Sequence, residues 1–149
     1  MDRKLLLPSE EGPEQSTRLA RILKALRRRR GLTAAAAAGR MGMQLRTYEE
    51  FESGRGKLKL ERIQEFADAL GCDAFAIVLA LAFDDEQFAV SCADTKLTVA
   101  VLMVLQDFAR DAGPDLARLD ARVVMQVLDS AFAQLTQEAR GRRPPGHGD

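Results

Sequence analysis

Apolar residues recur at helical spacing through most of the chain, and strand-like alternation never persists beyond a few positions. Leu19, Ile22, Leu23 and Leu26 form one stripe and predict a helix over about 17–29, with Ser16 or Thr17 as its cap and Gly31 as a left-handed stop. Thr33 is placed to cap a short second helix of alanines, 34–38, whose buried face Met41 closes. Gly42 then permits a positive φ in a tight turn. A third helix is expected over 45–52, ending at Ser53-Gly54. A fourth, 60–70, turns Leu60, Ile63, Phe66, Ala67 and Leu70 inward and ends at Gly71. A fifth starts from Asp73 and carries Phe75, Ile77, Val78 and Leu81. Phe88, Val90 and Cys92 alternate, but the stretch is short enough to be a linker. A very apolar helix over 94–111 follows, broken by Gly113-Pro114. Asp115 is then expected to cap a longer helix to about Arg140, with a stripe of Leu116, Leu119, Val123, Val127, Ala131 or Phe132, and Leu135.

The expected fold class is therefore all-α. Residues 1–15 read as a flexible arm, 16–82 as a five-helix domain, 83–93 as a linker, 94–140 as a two-helix hairpin and 141–149 as a disordered tail. Two helices cannot enclose faces as wide as those of the hairpin. The surplus must pack on the first domain or on a second chain, and we favour the second. Two hairpins meeting would make a four-helix bundle about a two-fold axis. Leu97, Val101, Leu105, Phe108, Leu119, Val123, Val127, Phe132 and Leu135 are the expected dimerisation residues.

Composition narrows the function. The chain has 149 residues and no net charge, with 22 basic and 22 acidic side chains. That balance hides an asymmetry: residues 1–70 hold 15 basic and 10 acidic residues, +5, and residues 71–149 hold 7 and 12, −5. A basic half joined to an acidic half points to one end for a polyanion and one kept off it. The longest apolar run, Leu97–Leu105, is about half of what a membrane-spanning helix needs, and Leu5–Leu7 is too short for a signal core. Cys72 and Cys92 lie twenty apart with no metal-ligand spacing and read as reduced cytoplasmic thiols. The single histidine, His147, sits in the tail. Neither a catalytic pair nor a metal or cofactor site is expected, so the chain does not read as an enzyme.

The short second and third helices, joined by a turn of about four residues containing Gly42, have helix-turn-helix spacing. With Leu26-Arg27 to Gly31-Leu32-Thr33 before them and Arg46-Thr47-Tyr48 and Glu52-Ser53-Gly54 in and after the third helix, residues 18–80 resemble the phage Cro/repressor-like (XRE-type) helix-turn-helix family. The resemblance implies a five-helix lambda-repressor-like domain that binds double-stranded DNA. The third helix would enter the major groove, which is about as wide as a helix with its side chains. Gln44, Leu45, Arg46 and Glu50 would face bases: Arg46 can bond guanine bidentately, Glu50 can accept from cytosine N4, and Leu45 can touch a thymine methyl. Thr47, Ser53, Arg55, Lys57 and Lys59 would contact phosphates. Arg27 and Glu52 would form a structural ion pair. Arg28–Arg30 read either as a solvated helix end or as long-range attraction to DNA.

Three positions depart from the family pattern. Ala34 replaces a phosphate-contacting glutamine, Ala37 replaces a larger core residue, and Gln44 replaces the usual Ser/Thr cap, weakening that cap by about 1 kcal/mol. The sequence thus predicts a bacterial, cytoplasmic transcriptional regulator, a homodimer reading an inverted repeat. The alternative is a protein-interaction module, antitoxin-like or an anti-activator, whose hairpin grips a partner. A small-molecule effector site near Cys92, Thr95 or Gln106 lacks converging polar groups.

Overall fold

A computed structural model describes residues 12–142. The expected arm up to residue 11 and the tail from 143 onward lie outside the described residues. Every described element is helical: α1 (Pro13–Arg29), α2 (Ala34–Arg40), α3 (Leu45–Glu52), α4 (Leu60–Leu70), α5 (Ala74–Phe83), α6 (Glu86–Cys92), α7 (Leu97–Ala112), a 3-10 turn (Gly113–Arg118) and α8 (Ala121–Gly141). The fold is all-α. The chain divides into two units between Val104 and Leu105, within α7.

In the first unit, one core joins α1 to α6. Leu19, Ile22, Leu23 and Leu26 of α1 meet Ile63, Phe66 and Leu70 of α4 and Ile77 and Leu81 of α5. Each such side chain contributes about 1.5–3 kcal/mol on leaving water. The boundaries follow local chemistry. Thr33 accepts a hydrogen bond from the Ala36 amide (3.1 Å) and starts α2. Gly31, Gly42 and Gly71 each take φ +65°, so α1, α2 and α4 end where only glycine turns without strain. Asp73 accepts from the Phe75 amide and starts α5.

Three boundaries differ from expectation. Pro13 opens α1, a position that suits its missing N–H, so neither Ser16 nor Thr17 is the cap and the last part of the expected arm is helix. Residues within the expected linker form α6: Asp85 accepts from the amides of Gln87 and Phe88, and Ala89 and Cys92 are buried. Phe88 meets Phe83 edge-on, with ring centroids 4.9 Å apart. In the second unit, Pro114 and Asp115 begin a 3-10 turn instead of a long helix. Asp120 caps α8 by accepting from the Arg122 amide (2.8 Å), so Leu116 and Leu119 are not part of its stripe. No single described helix is long and apolar enough to cross a membrane.

Candidate nucleic-acid interface

The turn between α2 and α3 is held by backbone bonds. Met43 donates to the Ala38 carbonyl (3.0 Å) and Gly42 to Gly39 (3.1 Å). Gln44 takes the cap position of α3 in an extended conformation, without a side-chain bond to the helix.

From there α3 has two faces. Tyr48 and Glu52 are buried, while Gln44, Leu45, Arg46, Thr47, Glu49 and Glu50 are exposed. Phe51 bridges inward: its ring lies edge-on to Tyr48 and 5.9 Å from Phe66 of α4. The Arg46 side chain is 90% exposed and lies 3.5 Å from the carboxylate of Glu50, one turn on. A pair this open contributes little, so the guanidinium can reach outward.

The inner face rests on a charged pair. Arg27 of α1 donates from Nε to Glu52 Oε2 at 2.7 Å and from Nη2 to Oε1 at 3.0 Å. Its third arm, Nη1, bonds the Leu32 carbonyl at 2.8 Å. The Tyr48 hydroxyl donates to the same Glu52 carboxylate. The bond to Glu52 raises the Arg27 pKa further, and burial, then the Glu52 contact, pushes the Tyr48 phenol far above its ordinary value. Tyr48 therefore remains a neutral donor. This fork fixes the end of α3 to α1 and sets which face of α3 looks outward.

Two further arginines of the run, Arg29 and Arg30, are committed as well. Arg30 Nε donates to the Leu70 carbonyl (2.8 Å) and Nη2 to Gly71 (2.7 Å), covering the end of α4. Arg29 and Arg30 both pair with Asp94, and those bonds hold its carboxyl below the ordinary range. Beyond the two readings open for Arg28–Arg30, Arg30 ties α1 to the end of α4, and Arg29 and Arg30 tie it to the segment before α7. Sequence reasoning missed this role, since the partners lie 40 to 65 positions away.

After α3 comes a cationic loop. Ser53 is half-buried and its hydroxyl donates to the Glu50 carbonyl (2.7 Å), which ends the helix. Arg55, Lys57 and Lys59 are exposed, and all three line a cavity of about 250 Å³ with Thr47, Arg62 and the first turn of α1. Arg62, not singled out from sequence, also pairs with Glu65 at 2.7 Å. Gly54, at φ +71°, presses against the backbone of Ser16, where a Cβ would overlap the carbonyl. Gly54→Ala is expected to cost more than about 2 kcal/mol, because the φ penalty and the overlap with the Ser16 backbone add, read as a lowered urea midpoint at unchanged slope.

The structure thus gathers Leu45, Arg46, Thr47, Glu50, Arg55, Lys57 and Lys59 on the exposed side of α3 and its following loop, with Arg27 and Glu52 behind them. The expected dimerisation residues belong to α7, α8 and the stretch around Leu119, all exposed. Residues 18–75 match a protein family described as a helix-turn-helix domain. No curated protein and no solved structure matches the chain.

Proposed function

We propose that the protein is a sequence-specific DNA-binding transcriptional regulator of the Cro/repressor-like type, working in the bacterial cytoplasm, two copies of which read an inverted repeat through α3. The observation that carries this reading is the two-faced α3. Its inner residues are locked by Arg27 and packed on α4, and its outer residues, Gln44, Leu45, Arg46 and Glu50, are exposed with no structural duty beyond one loose ion pair. The cations that follow suit the phosphates flanking a groove. One short helix reads only a few base pairs, so two copies about a two-fold axis supply the length of a specific site, with half-sites about 34 Å apart or a multiple of that.

Capture of duplexes from a random pool at low salt tests the reading. An enriched inverted repeat is the expected result, and indifference to double-stranded DNA of every sequence would overturn it. If Arg55, Lys57 and Lys59 of each copy neutralise one phosphate apiece, log K should fall against log salt with a slope of about −5, roughly a thousandfold loss between 50 and 200 mM. A slope near zero would remove these cations from the interface.

A further inference from the structure

The second unit has no core of its own. From Leu105 to Arg142 no side chain is buried: the end of α7, the 3-10 turn and α8 enclose nothing between them. Yet this segment is rich in large apolar residues, and Leu105, Val127 and Leu135 are each more than half exposed. A 21-residue helix with such a stripe gains little in water from backbone bonds alone, because helices in proteins are stabilised mainly by burying their apolar face. Monomeric proteins rarely leave a patch larger than a few hundred Å² uncovered.

Two properties of the segment select its cover. The first is area. The exposed apolar side chains from Val104 to Leu135 offer on the order of 1,000 Å² per chain, above the roughly 800 Å² that each partner of a standard interface buries. The second is charge. Residues 96–142 carry six basic and six acidic side chains. Arg110, Arg118 and Arg142 each pair with an acid one turn away on the same helix or turn, at Asp107, Asp115 and Glu138. A segment without net charge calls for no oppositely charged partner, and an identical segment meets no repulsion.

We infer that the cover is a second copy of this chain, and that folding of residues 105–141 and dimerisation are one event. The apolar faces of α7 and α8 from two chains build a core that neither chain contains alone. The inference rests on the two-copy reading above and adds what holds the copies together. It also makes DNA binding depend on protein concentration, because half-sites are joined only when this core exists.

Sedimentation equilibrium and far-ultraviolet circular dichroism of the full chain, without DNA, over a dilution series test it. The expected result is a dimer whose helical signal falls as it dissociates, by the contribution of the 21 residues of α8 and the part of α7 that follows Val104. V127D/F132D should weaken association by more than about 100-fold and lower the helical signal. The thermal transition of the helix-turn-helix domain should persist in that variant, which separates lost assembly from global unfolding. Gln126→Glu, on the polar stripe of α8, should leave the dimer intact. A monomer with concentration-independent helicity would overturn the inference, whether its cover is its own chain or a different protein. So would a dimer that dissociates with its helices intact. A chain that dimerises as described but ignores DNA would leave this inference standing and sink the functional reading instead.

Discussion

Arg27→Ala is expected to lower the unfolding free energy of the helix-turn-helix domain by about 3–5 kcal/mol, the usual cost of removing one partner from a buried ion pair. Glu52 is only 5% exposed. Without Arg27 its carboxylate keeps the Tyr48 hydroxyl as a donor but loses both guanidinium bonds, and the Leu32 carbonyl loses its side-chain donor. For a domain of this size the melting temperature should drop by about 12–40 °C. Most of that cost reflects a stranded charge. The pair R27M/E52Q, which removes both charges and keeps an acceptor near Tyr48, should therefore recover at least half of the loss. Urea unfolding of the two variants beside the parent checks this. A single-variant loss under about 1 kcal/mol would show that water reaches Glu52 and that the fork does not hold α3.

Elements with strong local punctuation are legible in the sequence alone. Thr33, Gly42, Gly71 and Asp73 each act within one turn of chain, and each sits where the hydrophobic spacing puts it. Helix α6 was not legible, because seven residues give too few periods to separate helix from alternation. What makes it a helix is the core it completes: Ala89 and Ala93 join the cluster of α1 and α5. The second long helix was misplaced for the opposite reason. Pro114-Asp115 resembles a helix start, and the extended conformation at Leu119 and Asp120 that restarts the chain leaves no mark in the hydrophobic pattern. Within the site, the outward face of α3 is implied by the family resemblance, and Tyr48 and Glu52, one turn apart, are the buried pair opposite it. The duties of Arg29 and Arg30 do not follow, because a run of arginines looks the same whether it meets solvent or the carbonyls of a helix forty residues on.

Arg46→Ala should weaken binding to the preferred DNA by about 1–3 kcal/mol, five- to 150-fold, and should change which sequences are preferred. The side chain stands on the first turn of α3, the part of a recognition helix that lies nearest base edges. It is 90% exposed, and its contact with Glu50 is loose enough to yield to a better partner. Arg46→Lys loses the planar fork but keeps a charged donor that can reach guanine O6 or N7, so that variant should recover only part of the loss. Lys57→Ala supplies the contrast. It should weaken binding to all duplexes alike and make the salt slope shallower by about 0.9 for each copy bound. Competition binding against selected and scrambled duplexes separates the two behaviours. A uniform loss with Arg46→Ala, across every sequence, would make this residue one more phosphate contact and move base reading to Gln44, Leu45 or Glu50.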